Sequence, residues 1–113
     1  MEYIINIGLN NNNYSNAVSH INNARGYYFK DYHIKQGVST YNGVTEETII
    51  LSFDTDAHVT SINILLQQWC KHMDQDCIAM HLTDKQNNTF GSLVYNTNYK
   101  GDQYTFNNKY FLK

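Results

Sequence analysis

No apolar run in this sequence approaches the roughly 18 residues that a helix needs to cross a bilayer, so a protein anchored by membrane-spanning helices is excluded from the expectation. Basic charge is also scarce. Lysine and arginine together number 8 against 10 acidic residues, Arg25 is the sole arginine, and the formal net charge is −2. Proteins that hold duplex DNA or RNA concentrate basic side chains on one face, because neutralising phosphates supplies most of their affinity. With the few cations dispersed, duplex nucleic acid is not an expected partner. Only two cysteines occur, Cys70 and Cys77, and they form neither a C-x2-C pair nor a dense framework. They read as free buried thiols of a reducing compartment. Glu2 and Tyr3 lead straight into a short apolar run, without the charged and long apolar regions of a secretory signal, which predicts a cytoplasmic protein. Proline is absent, whereas asparagine fills about one position in seven and tyrosine occurs 10 times. That departs strongly from average usage and follows AT-rich codons. It suggests a low-GC genome, for which a virus or phage of such a host is one source.

What is present is enough for one core. Hydrophobic residues make up 42% of the 113 residues, and two independent cores would leave each half too small to be stable without staples. A single α+β domain spanning residues 1–113 is expected.

Tyr3 to Leu9 is apolar and β-branched and stops at the run Asn10 to Asn13, which predicts a first strand. From Tyr14 the positions Tyr14, Ala17, Val18 and Ile21 recur at helical spacing, and Gly26 stands where a left-handed cap would end the helix. Tyr27 to Thr40 is aromatic and β-branched and predicts a second strand. Asn42-Gly43 suits a two-residue type I′ turn into a third strand, Val44 to Phe53. The segment from Asp54 to Thr60 is polar and offers helix N-caps, Thr60 among them. After it Ile62, Leu65, Leu66, Trp69, Cys70 and Met73 form an apolar stripe at helical spacing. Cys77 to Leu82 predicts a fourth strand, and Gly91 to Tyr95 a fifth beyond a turn at Asn87-Asn88. The order βαββαβ predicts a ferredoxin-like antiparallel sheet covered by two helices, with an extra C-terminal hairpin strand. The last segment carries Tyr104, Phe106, Tyr110, Phe111 and Leu112. Such an aromatic tail is expected to fold back onto the domain or to meet a second copy in a homo-oligomer.

Three constellations bear on chemistry. His58-Val59-Thr60 and His81-Leu82-Thr83 are paired His-x-Thr tripeptides of the kind found in 2H phosphoesterases. In that chemistry each imidazole serves as general acid or base on one side of a phosphodiester, while each hydroxyl holds a phosphate oxygen. Here the tripeptides are close together in the chain and the first falls at a helix start, so catalysis by His58, Thr60, His81 and Thr83 is the alternative rather than the leading expectation. Cys70, His72, Cys77 and His81 include zinc-ligand types, but the spacing lacks the short pairs of structural zinc sites. No metal and no cofactor is therefore expected. Glu46 and Glu47 are strand neighbours that face opposite sides of a sheet and cannot serve one pocket as an acid/base pair. The third constellation is Arg25 to His33, where aromatic rings alternate with the only arginine, a lysine and a histidine. Tyr28 and Tyr32 could stack on a base while Arg25 and Lys30 hold a phosphate.

The opening Tyr3 to Leu9 (YIINIGL), the central Gln75 to Ala79 (QDCIA) after an amphipathic helix, and the closing Phe106 to Leu112 (FNNKYFL) together resemble a group of small proteins from tailed phages and prophages. Glu47 to Ile50 looks like that group's third strand. The likeness spans nearly the whole chain and rests on strand and core residues, so it transfers no catalytic set. What it implies is a non-enzymatic accessory protein of counter-defence, acting in the host cytoplasm. It would sequester a nucleotide-derived immune signal or inhibit a host defence protein. A small phosphodiesterase that cleaves a cyclic nucleotide is the alternative.

Overall fold

The computed structural model describes residues 1–9, 14–41 and 43–96. Its elements run β1 (Glu2–Gly8), α1 (Tyr14–Ala24), β2 (Tyr32–Tyr41), β3 (Val44–Asp54), α2 (Val59–His72), β4 (Cys77–Thr83) and β5 (Thr89–Tyr95). The strands make one antiparallel sheet in the order β2-β3-β1-β4-β5. The protein is thus α+β, with a five-stranded antiparallel sheet and two helices.

Strand alternation decides what lies on each side of the sheet. In β1, Tyr3, Ile5 and Ile7 are fully buried. The pairings Tyr3 with Phe53 and Leu82, and Ile5 with Leu51 and Met80, place all of them on one face. Ala17, Ile21 and Ala24 of α1 and the stripe Ile62, Leu65, Leu66, Trp69 and Cys70 of α2 join these strand residues in one apolar cluster. Burying each isoleucine or leucine of this cluster contributes about 1.5–3 kcal/mol relative to leaving it in water. The stripe read from the sequence is the buried face of α2, with Met73 as its C-cap.

Two local expectations are corrected. The second strand does not begin at Tyr27 but at Tyr32. Gly26 adopts φ +91°, the left-handed geometry that ends α1, and the chain then turns instead of extending. Its N–H donates to the Phe29 carbonyl at 2.7 Å, and the N–H groups of Tyr27 and Tyr28 donate to the Ala24 carbonyl, each at 3.2 Å. At α2 the N-cap is His58, not Thr60: its Nδ1 accepts the Thr60 N–H at 3.1 Å, and the helix starts at Val59. In the β2–β3 turn Gly43 has φ +78°, as a turn of primed type requires, while Asn42 lies outside the described residues. So do the run Asn10 to Asn13 and the tail aromatics Tyr104, Phe106, Tyr110, Phe111 and Leu112.

Candidate ligand cleft

The turn after α1 is fastened at three points. Phe29 is 4% exposed, and its ring stacks on Phe53, centroids 4.3 Å apart, which in turn stacks on Tyr3 at 5.3 Å. Tyr32 meets Phe29 edge-on at 5.6 Å. The Thr55 hydroxyl donates to the Tyr28 carbonyl, tying the turn to the segment that follows β3. Aromatic stacks of this kind add about 0.5–1.5 kcal/mol each beyond area burial, so the turn is held to the sheet end and does not hang free.

Between the turn and the ends of β1 and β3 lies a cleft of about 640 Å³. Tyr27, Tyr28 and Phe29 form one wall, and Tyr27 is 86% exposed. Glu2, Asp31, Asp54 and Asp56 bring four carboxylates to it, against the single lysine Lys30, with His33 also in the lining. The amino group of Met1 approaches Asp54 at 3.3 Å; a pair as exposed as this one contributes little. The cleft has a negative bias and an aromatic wall. It is suited to a flat ring that carries positive charge and is poorly suited to a polyphosphate.

Of the four ligand residues proposed from sequence, Tyr28 and Lys30 line this cleft. Arg25 and Tyr32 brace the turn: Arg25 Nε donates to the Lys30 carbonyl at 2.9 Å, and the Tyr32 hydroxyl donates to Asn22 Oδ1. Sequence reasoning missed the four acids. The signal is Asp54-Thr55-Asp56, two carboxylates directly after an apolar strand, in a segment whose polar residues equally suit helix caps.

The His-x-Thr residues are not brought together. His58 caps α2, on the helix-covered side. His81 alternates with the core residues Met80 and Leu82, so its ring projects from the opposite face. Burial holds the His81 pKa below the usual histidine value. Thr60 is exposed on the first turn of α2, and Thr83 pairs with Glu2 and Thr89 in the sheet.

The zinc-type residues are likewise divided. Cys70 lies on the buried face of α2, its Sγ donating to the Val94 carbonyl at 3.4 Å, whereas Cys77 and His81 alternate onto the other face of β4. Burial, then Cys77 and Asp76, push the Cys70 thiol up to about 12, so it stays protonated at neutral pH. The His72 ring stacks on His20 of α1, centroids 5.8 Å apart. Among the described residues no three histidines, cysteines or carboxylates are gathered as metal ligands would be.

These features define an α+β protein with an acidic, aromatic-walled cleft at one end of its sheet. Among solved structures it is similar to a phage SAM lyase in complex with S-methyl-5'-thioadenosine, with a TM-score of 0.56 and 14% identity over 81% of this chain and 88% of that one. At that identity the likeness is one of fold. No protein-family model matches the chain, and no curated protein sequence matches it. Among the described residues no helix is long and apolar enough to cross a membrane.

Proposed function

We propose that this chain is a phage accessory protein of counter-defence that binds a small nucleoside-type ligand in the cleft beside residues 25–31. The observation that carries this reading is the convergence of four carboxylates and an aromatic wall on one cleft of about 640 Å³. The fold adds support, since the similar phage SAM lyase holds a thionucleoside. Within the nucleotide-derived class the charge favours a ligand whose purine stacks on Tyr28 or Tyr27 and whose cationic group, a sulfonium or an amine, faces Asp31, Asp54 and Asp56. Like charges facing each other at short range each cost roughly 1 kcal/mol or more near a protein surface, so a cyclic dinucleotide with two phosphates is a poorer fit. Lys30 then serves as a partial counter-charge that orients the ligand. We also infer that β2-β3-β1-β4 is a ferredoxin-like core to which β5 is added at the β4 edge.

Enzymatic turnover is the second reading, favoured by one observation: the similar structure is that of a lyase. This reading does not call on His58 and His81 as a pair, since His58 caps α2 and His81 alternates onto the sheet face away from the helices.

One experiment separates the readings. The protein is incubated with S-adenosylmethionine, and separately with a cyclic dinucleotide, then passed through a desalting column and heat-denatured. Release of intact S-adenosylmethionine, lost in an Asp31→Asn, Asp54→Asn, Asp56→Asn variant, supports binding in the acidic cleft. A new product formed before denaturation supports catalysis instead. Retention of the dinucleotide alone overturns the charge argument. Retention of neither overturns the nucleoside reading and favours a host protein as partner.

A further inference from the structure

At the cleft end of the sheet, register and alternation fix which side chains share a face. Tyr3, Phe53 and Leu82 belong to the core on the helix side, so their chain neighbours Glu2, Asp54 and Thr83 stand on the opposite face. Glu2 pairs with Asp54 on one side and with Thr83 on the other, which makes one row across β3, β1 and β4. Side chains directly opposite in such a row stand about 5 Å apart at Cβ. Glu2 and Asp54 line the cleft, and so does Ser52 from the next row of the same face. Thr83 is half-buried and carries that floor one strand beyond Glu2. The four carboxylates are therefore not equivalent. Asp31 comes from the turn and Asp54 and Asp56 from the end of β3 and the segment after it, whereas Glu2 stands on the central strand with a hydroxyl on its far side.

We propose that Glu2, flanked by Thr83, is the ribose-reading group of the cleft, accepting hydrogen bonds from the 2′,3′-diol of a ribonucleoside while Asp31, Asp54 and Asp56 face its cation. The inference rests on the nucleoside-binding reading of the cleft and divides the acidic lining between two tasks. An ionised carboxylate only accepts hydrogen bonds, and its two oxygens match the two hydroxyl donors of a vicinal diol. Such bonds are charge-assisted and stronger than those between neutral groups. Acidic side chains read ribose hydroxyls in this way in dinucleotide-binding folds. The geometry of the ligand agrees with the row. A cation on the 5′ carbon and the diol lie at opposite edges of one furanose ring, and Asp54 and Glu2 are neighbours across adjacent strands. Two like charges directly opposite each other repel, and a diol seated on Glu2 supplies hydroxyl donors to one of them without competing for the cation at the other. Thr83 adds a hydroxyl beside Glu2, able to donate to the carboxylate or to meet a ribose oxygen.

The test is titration calorimetry of the intact chain with S-adenosylmethionine and with its 2′-deoxy analogue. Both probes carry the same cation, so the ratio of their affinities reads the ribose contact alone. The wild type is expected to hold the ribose form about tenfold more tightly, as the loss of one hydrogen bond to a charged group implies. Glu2→Ala, at an exposed strand position, brings the ratio to about one. Thr83→Val keeps the shape, removes the hydroxyl and lowers the ratio in part. Asp54→Asn weakens both probes by the same factor and leaves the ratio near ten. Equal affinity of the wild type for the two probes overturns the ribose assignment and leaves the nucleoside reading standing. So does a Glu2→Ala variant in which both affinities fall together and the ratio persists. Loss of the ratio in Asp54→Asn but not in Glu2→Ala overturns the division of tasks. Binding of neither probe by the wild type overturns this assignment together with the nucleoside reading on which it rests.

Discussion

On the helix-covered face of the sheet the buried strand residues Tyr3, Ile5, Ile7, Ile49, Leu51 and Phe53 are aromatic or aliphatic, whereas on the other face the buried set includes Asn6, Thr48 and His81. The same strands, with the same alternation, therefore present two environments. The first is filled by non-directional packing against helices, where any apolar side chain of the right volume serves. The second holds groups that must find hydrogen-bond partners and glycines that must leave room. Stability is expected to be concentrated on the first face and sensitivity to pH and to small steric changes on the second.

The comparison is tested first by cavity. Ile5→Ala removes a fully buried side chain at the centre of the sheet and is expected to cost about 3–4 kcal/mol in urea unfolding. Ile4→Ala, its half-buried neighbour on the other face, should cost less than half as much. Equal losses would mean that the two faces are packed alike. Next in size is Gly8→Ala. A Cβ there would lie 2.5 Å from Glu46 Oε1, so the carboxylate must move, at a cost of about 1 kcal/mol. Because the obstacle is a flexible side chain, adding Glu46→Ala should recover most of that loss. A similar effect of about 0.5–1 kcal/mol is expected from His58→Ala, which removes the cap of α2. If His58 is a cap only, ligand retention in the cleft is unchanged.

The pH dependence gives a further contrast. The folded pKa of His81 lies below its unfolded value because burial disfavours the charged ring. The unfolded state then binds more protons, so stability is full above about pH 6.5 and declines as the pH falls below it. His20, lowered by burial and then by His72, works in the same direction from the helix side. Unfolding midpoints of His81→Asn and His20→Asn between pH 7 and 5 will show which face dominates the acid sensitivity; a slope unchanged in His81→Asn would remove the second face from it. The smallest effect is chemical. With the Cys70 thiol pushed up to about 12 and Cys77 half-buried, a thiol reagent at neutral pH is expected to modify Cys77 in the native protein and Cys70 only on unfolding.

The elements themselves were legible because their periods are. The spacing Ile62, Leu65, Leu66, Trp69, Cys70 names the buried side of α2 before any coordinates exist, and the apolar, β-branched run Tyr3 to Leu9 names β1, although not which of its residues face the helices. The stretch from Tyr27 to Lys30 misled, because its aromatic composition favours a strand while the geometry at Gly26 turns the chain. Local propensity lost there to the cap at Gly26, immediately before the stretch. The candidate cleft was half legible. Tyr28 and Lys30 stood out as aromatic and basic residues in alternation, but nothing in the order of residues says that Glu2, Asp31 and the Asp54–Asp56 pair, from three places along the chain, open onto one cleft.

Charge scarcity, the absence of long apolar runs and the two helical and five strand-like patterns were fixed by the residues alone, since each depends only on neighbours within a few positions. Which strands adjoin depended on tertiary structure. So did the face onto which His81 turns and the sign of charge that gathers beside the 25–31 turn. Those depend on contacts between residues far apart in the chain, and such contacts form only when the apolar faces of sheet and helices are buried together.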